Sequence, residues 1–231
     1  MSQAAVGLGL AAAIVTAWLS LHVYGVFFHR WEAIDLIRAP VIVALQAWLG
    51  TGMFIVAHDA IHGSLAPGHP RLNRAVGQIC VGLYAGFSFR RLAEKHRQHH
   101  ATPGAASDPD FYAPSPSAMP PWFLAFFRRY FGLREFSIVT VVLAIYLLGF
   151  RASPINAAVF WGLPAILSAL QLFTFGTYLP HRHEAQPFAD HHRARSLDYP
   201  WLASLLACFH FGRHHQHHLS PATPWWRLPQ V

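Results

Sequence analysis

Long uncharged segments constrain the fold of this chain more than any other feature. Residues 4–28 form a run of 25 without a charge and residues 39–57 a run of 19, and each is long enough to cross about 30 Å of hydrocarbon as a helix. Two further apolar runs, 136–150 and 155–179, are separated by only four residues, as in a membrane hairpin. We therefore predict one all-α membrane domain over residues 1–231, with four transmembrane helices in two hairpins.

The composition favours a membrane environment. Only 12% of the residues are charged, against about 25% in soluble proteins, because lipid takes the place of a charged surface. The net charge of +7 does not indicate a nucleic-acid partner, since the basic residues are spread between the apolar runs and form no single stripe. The short apolar run 76–89 and the aromatic, basic stretch 122–134 predict additional re-entrant or interfacial helices.

The distribution of basic residues predicts the orientation. With four crossings, the loops 29–38 and 151–154 lie on one side and carry only Arg30, Arg38 and Arg151 of the 17 Lys and Arg residues. The other 14 (17 minus 3) lie on the opposite side, together with the histidine clusters described next. The positive-inside rule makes that side cytoplasmic, so we expect the N-terminus and the histidines there.

Histidine clusters stand at the ends of the apolar runs. The spacing HxxHH occurs twice and the spacing HxxxH once, and residues at i, i+3 and i+4 share one face of a helix. The clustered residues are His58 and His62; His96, His99 and His100; and His214, His217 and His218.

Eight clustered imidazoles indicate two metal ions, because one zinc ion takes about four ligands. Neutral imidazole is the commonest protein ligand for borderline metals. The chain lacks the ExxH pairs of soluble di-iron bundles, and an all-histidine set with open positions suits non-haem iron that binds O2. A histidine-rich metal transporter is the alternative from another class. Its ligands should lie in mid-membrane, whereas these stand at segment ends.

Several motifs resemble the integral-membrane fatty acid desaturase and hydroxylase superfamily, and most closely the bacterial β-carotene ketolases. They are the three histidine boxes within HDAIHGSLAPG, KHRQHH and CFHFGRHHQHHLSP, together with LYAGFSF, the DPDFYAP loop, FGTYLPHRHE and LDYPWL. The match is collinear and covers nearly the whole chain. The resemblance implies a membrane di-iron centre in a cytoplasmic cap at the bacterial inner membrane.

The resemblance also implies a ninth histidine ligand just after the last crossing. His181 matches that position best, and His183 is the alternative. His210 and His215 flank the third box, and we expect them to support the ligands. Carboxylates that could hydrogen-bond ligand imidazoles and fix their tautomers are Asp59, Asp108, Asp110 and Asp198.

The implied activity is oxidation of C4 of a β-ionone ring to a ketone. Two hydroxylations at the same carbon, each with O2 and two electrons from a ferredoxin, would give a geminal diol that loses water. β-Carotene would become echinenone and then canthaxanthin, and zeaxanthin would give astaxanthin if hydroxylated rings are accepted. A carotenoid 3-hydroxylase or an acyl-lipid desaturase with the same boxes is the alternative.

A carotenoid must enter from the bilayer, and the electron donor must dock from the cytosol. Basic residues near the boxes could dock an acidic donor, although the positive-inside rule explains them equally well. These residues are Arg90, Arg91, Lys95, Arg97, Arg128, Arg129 and Arg134. Candidates to line a tunnel for a flat polyene are Tyr84, Phe87, Phe89, Phe173, Phe175 and Tyr178.

Overall fold

The computed structural model describes residues 1–230, and every regular element in that range is a helix. The predicted all-α class is therefore confirmed. The helices are α1 (Gln3–Phe28), α2 (Asp35–His62), α3 (Pro70–Ala85), α4 (Phe89–Ala101), α5 (Met119–Tyr130), α6 (Leu133–Gly149), α7 (Pro154–His181), α8 (Trp201–Cys208) and α9 (His214–Leu219), followed by a 3₁₀ helix at Trp225–Gln230.

Three helices, α1, α2 and α7, are long and apolar enough to cross a membrane. Helices α5 and α6 meet at a bend of 76° and supply a fourth span only if they are taken together. The predicted run 136–150 therefore belongs to a helix that begins earlier, at Leu133, and the fourth crossing stays a prediction. Leu36, Leu133 and Leu148 are among the large apolar side chains on the surface, as expected where lipid covers the protein.

Helix α2 is the centre of the bundle. In the most apolar 18-residue stretch of α2, 61% is buried, against 22% in the corresponding stretches of α1 and α7. The reason is that α1, α3 and α7 pack around α2. The Thr51 hydroxyl lies 3.0 Å from that of Ser168 and 2.7 Å from the side-chain oxygen of Gln171, so α2 and α7 are also joined by polar contacts. This packing holds the end of α2, with the first histidine box, in a fixed position.

Glycine turns bring two short helices alongside the end of α2. Gly63 caps the end of α2, and its φ of 75° lets the Ser64 N–H donate to the Asp59 carbonyl at 3.0 Å. Gly86 caps the end of α3 with a φ of 70°, a conformation that L side chains rarely adopt. The Ser88 hydroxyl then accepts a hydrogen bond at the start of α4. The second box, on α4, therefore lies beside the first.

Irregular segments complete the end of the bundle that carries the histidine boxes. In the loop 102–118, the Asp108 carboxylate accepts from the N–H groups of Gly104 and Asp110, both at 2.8 Å, and so folds the loop around itself. The C-terminal segment is fastened by the Trp225 N–H, which donates to the Asp59 carboxylate at 3.0 Å. These two carboxylates tie the loop and the C-terminal segment to the histidine boxes.

Candidate metal centre

The nine histidines that sequence reasoning selected as ligands converge at one end of α2, in two groups. Within each group, one ligand atom from every residue lies within 4.8 Å of the others. The five-histidine group is His58, His62, His96, His100 and His217, and the four-histidine group is His99, His181, His214 and His218.

Helical spacing divides the two HxxHH boxes between the groups. On α4, His96 and His100 are one turn apart and enter the five-histidine group, while His99 enters the other. On α9 the division is reversed: His217 enters the five-histidine group, while His214 and His218 enter the four-histidine group. The rings of His100 and His218 stack across the boundary with centroids 4.3 Å apart. The two groups are therefore neighbours held by the same two helices.

The Nε2 atoms of each group face one another at separations that suit ligands of one ion. Two imidazole nitrogens bound to one ion at about 2.1 Å, with an angle of about 90–110°, are about 3.0–3.4 Å apart. Four of the observed Nε2–Nε2 distances fall in this range: 3.2 Å for His58 and His217, 3.0 Å for His100 and His217, and 3.1 Å for His99 and His218 and for His214 and His218. His62 and His96 lie closer together, at 2.7 Å.

Most of these imidazoles are held neutral, which leaves a lone pair for a metal. Burial first, and then the neighbouring imidazoles, keep the pKa of His96, His214 and His217 well below its ordinary value. The same causes lower the pKa of His100 to about 3. Protonation would crowd several positive charges into a buried space, whereas one metal cation would satisfy all the lone pairs of a group.

Asp108 fixes the tautomer of His99. Both of its carboxylate oxygens lie 3.0 Å from Nδ1 of His99, so Nδ1 carries the proton and Nε2 faces the four-histidine group. Burial lowers the pKa of His99, but the hydrogen bond to Asp108 and the charges of Asp110 and Asp108 outweigh it, and the pKa is raised overall. The position of Asp108 is that of a carboxylate which orients a ligand.

Of the two candidates for the ninth ligand, the structure places His181 in the four-histidine group. Its Nδ1–H donates to the carbonyl of Arg193 at 2.7 Å, which leaves the lone pair on Nε2. This Nε2 is buried and has no hydrogen-bond partner within residues 1–230, a costly state that a metal ion would relieve. His183 is exposed and packs on Phe111, outside both groups.

The expected carboxylate partners differ in position. Asp59 lies with one oxygen 3.5 Å from Nδ1 of His58, and Asp110 lies 3.8 Å from Nδ1 of His99. The expectation for Asp198 is not met. Its side chain is 96% exposed and faces Arg213 at 3.6 Å, because the segment before α8 directs it into solvent.

The two histidines that flank the third box lie outside both groups. His210 is buried against the rings of Trp201 and Trp225, and so supports the third box through packing. His215 lies on the outer side of α9, where its Nε2 is 2.8 Å from the Asp190 carboxylate.

The six aromatic residues predicted to line a tunnel do not form one wall. Tyr84 and Phe87 stack in the main core beside α2. Phe173 and Tyr178 instead pack around Trp122 in a separate cluster. Phe175 contacts that first core, and Phe89 fills the space above Gly77. A cavity of about 10 Å³ between α1, α2 and α7, with room for about one water molecule, is lined by Tyr84 but by none of the other five.

Sequence reasoning missed two features of this region. The first is the carbonyl of Arg193, whose backbone has a left-handed φ of 45° and which accepts from His181. No sequence signal marks a carbonyl for that role. The second is a further cluster of potential ligands, Asp190, His191 and His192, whose ligand atoms lie within 4.8 Å of one another. The signal was present as an Asp-His-His run in the sequence.

One family model and several known proteins match this chain. The sequence model of the fatty acid desaturase family matches residues 36–140 and 128–231. β-Carotene ketolases from two strains of Paracoccus are 46% and 45% identical over 98% of this chain and 92% of each relative. A zeaxanthin 4-ketolase from Chlamydomonas reinhardtii is 35% identical over 97% of this chain and 52% of that protein.

Proposed function

The chain belongs to the fatty acid desaturase family, and its full-length likeness to β-carotene ketolases leads us to propose that it oxidises C4 of β-ionone rings to a ketone. The observation that carries this proposal is the convergence of nine histidines in two adjacent groups at the end of a membrane helix. In this proposal the protein is an oxidoreductase that converts β-carotene to echinenone and then canthaxanthin.

Two iron ions are the metals proposed for the two groups, and when bound they supply the activation of O2 that oxidises a C–H bond. Imidazole also suits zinc, copper and nickel, so the ligand type alone does not select the metal. Five donors in one group exceed the number of about four that zinc takes. Membership of the desaturase family favours iron in both groups.

Two successive hydroxylations of C4, followed by loss of water, give a balanced reaction for ketone formation. Each hydroxylation consumes one O2, two electrons and two protons, converts one C–H bond to C–OH and releases one water. The second round gives a geminal diol, which loses water to form the ketone. The allylic position of C4 weakens the C–H bond that must break.

The protein's own groups hold the ligands in place for this chemistry. Asp108 keeps the proton of His99 on Nδ1, and the Arg193 carbonyl does the same for His181, so that neither ring is free to rotate. All four rings of the four-histidine group are buried, whereas three members of the five-histidine group are only half-buried. The four-histidine group is therefore shielded from water by the protein alone.

A ferredoxin-type donor is proposed to deliver the electrons at the face that carries α4. Of the seven basic candidates, Lys95, Arg129 and Arg134 already bind main-chain carbonyls and shape the cap. The other four are exposed and free to meet an acidic partner: Arg90, Arg91, Arg97 and Arg128.

The proposed location is the bacterial inner membrane, with the N-terminus and the histidine groups on the cytoplasmic side. The apolar helices and the desaturase family indicate membrane association. The excess of basic residues in the segments that bear the histidines supports the orientation. A carotenoid dissolved in the bilayer would reach the centre from the membrane side.

Pigment analysis tests the proposed activity. The full-length protein is expressed in one host that accumulates β-carotene and in another that accumulates zeaxanthin. Echinenone and canthaxanthin in the first host are expected, and astaxanthin in the second would show that hydroxylated rings are accepted. A C3 alcohol would instead identify a 3-hydroxylase, and altered fatty acids with intact β-carotene would identify an acyl-lipid desaturase.

A further inference from the structure

A third cluster of metal-binding side chains lies in the segment between α7 and α8. Asp190, His191 and His192 place one ligand atom each within 4.8 Å of one another, and His191 is exposed. The rings of His191 and His192 face each other with centroids 4.1 Å apart. Their ring nitrogens make no hydrogen bond within the part of the chain that the structure describes, so their lone pairs are available.

The carboxylate of this cluster is held in position on two sides. One oxygen of Asp190 accepts from the N–H of His192 at 2.9 Å, and the other lies 2.8 Å from Nε2 of His215. His215 extends from α9 and holds this second oxygen in place. Two imidazoles and a carboxylate form a donor set that takes divalent iron with positions left open.

The cluster lies directly outside the four-histidine group. The ring of His192 is 5.7 Å, centroid to centroid, from that of His218. The next residue along the chain, Arg193, accepts the hydrogen bond from His181. One short segment thus carries the partly exposed cluster on its outer side and orients a buried member of the four-histidine group on its inner side.

We propose that Asp190, His191 and His192, with His215 orienting the Asp190 carboxylate, form an outer site for a divalent transition-metal ion, through which iron enters the four-histidine group. The proposal rests on the proposed function in that the inner groups hold iron. Because His191 is exposed, an ion can bind to the outer site from the cytosol and leave again. The buried four-histidine group behind this site offers more imidazoles and retains the ion.

Zinc binding tests the outer site itself. Full-length protein in detergent micelles is first loaded with iron and then dialysed to equilibrium against micromolar Zn²⁺. Wild-type protein should bind about one zinc ion per chain more than the double variant His191→Ala/His192→Ala. His69→Ala is the matched control, because it removes an exposed histidine outside the clusters and should bind zinc like the wild type. Equal zinc binding by the double variant would overturn the site.

The rate of iron uptake tests the route. Metal-stripped protein is given limiting Fe²⁺, and bound iron is measured against time after desalting. The double variant should load about tenfold more slowly than the wild type but reach the same final iron content, which also shows that it is folded. Equal loading rates would overturn the entry route. If neither protein retained iron at saturation, the proposed iron centre would fail, while the difference in zinc binding would still report on the outer site.

Discussion

Both oxygens of the Asp108 carboxylate lie 3.0 Å from Nδ1 of His99. The same carboxylate accepts two main-chain N–H groups of its own loop, from Gly104 and Asp110. The loop that follows the second histidine box and the orientation of one predicted ligand are therefore a single unit. A change at Asp108 should act on the metal centre without touching a ligand.

Replacement of Asp108 by asparagine should weaken iron binding about 10- to 100-fold, because the amide cannot hold the Nδ1 proton of His99 as a carboxylate does. The measurement is iron content as a function of free Fe²⁺. Asp198→Asn is the control, since that carboxylate is exposed and contacts no histidine of the two groups. Unchanged iron affinity in Asp108→Asn would show that this hydrogen bond does not support the centre.

His181 and His183 form a matched pair two residues apart. His181→Ala should lower the iron content and abolish ketone formation, because it removes a buried nitrogen that faces the four-histidine group. His183→Ala should retain both iron and activity, because its ring is exposed. Pigment analysis and iron content are measured on each variant. The opposite pattern would make His183 the ninth ligand.

Helical spacing made the histidine boxes predictable, because residues at i, i+3 and i+4 must share one face. How the boxes divide between two groups was not predictable, since that depends on how α4 and α9 dock against α2. The carboxylates show the same limit. Asp108 follows its box within one tight loop and lies beside His99, whereas Asp198 lies in an irregular segment whose path no local pattern specifies.

The fold was predictable where the apolar runs are long, as in α1, α2 and α7. It was not predictable around Leu133, because the bend between α5 and α6 depends on tertiary packing of two short helices. Tunnel residues were selected for being aromatic and near the boxes. Their actual positions depend on which face of each helix is buried, and Tyr84 and Phe173 accordingly lie in different clusters.

The Asp59 carboxylate should stabilise the C-terminal segment. Asp59→Leu leaves the buried N–H of Trp225 without its partner and should lower the free energy of unfolding by about 1–3 kcal/mol. Asp59→Asn keeps an acceptor oxygen of similar shape and should cost less. Unfolding of both variants in mixed micelles measures the difference, and equal losses would show that the effect does not come from this hydrogen bond.

The metal-free protein should lose stability in acid. In the folded chain the pKa of His100 is lowered from 6.5 to about 3 by burial and neighbouring imidazoles, so below pH 6.5 the unfolded chain binds a proton that the folded chain does not. His96, His214 and His217 shift in the same direction, whereas the pKa of His99 is raised, so His99 contributes stability that is full below pH 6.5 and declines only as the pH rises above it. The four histidines with a lowered pKa should therefore leave stability unchanged above about pH 6.5 and reduce it as the pH falls toward 3.

Thermal unfolding of metal-stripped and iron-loaded protein across this range provides the measurement. Bound iron keeps the ligands deprotonated, so the loaded protein should resist acid to a lower pH. A metal-free protein equally stable at pH 4.5 and pH 7 would contradict the buried, neutral state of these imidazoles.

The iron content of the purified full-length protein tests most directly whether the two histidine groups hold two ions. About two iron ions per chain are expected for the wild type, with a loss of iron in His217→Ala from the five-histidine group and in His214→Ala from the four-histidine group. Zinc as the main metal, without O2-dependent turnover, would favour a metal transporter. Full iron content and full activity in both variants would contradict the proposed centre.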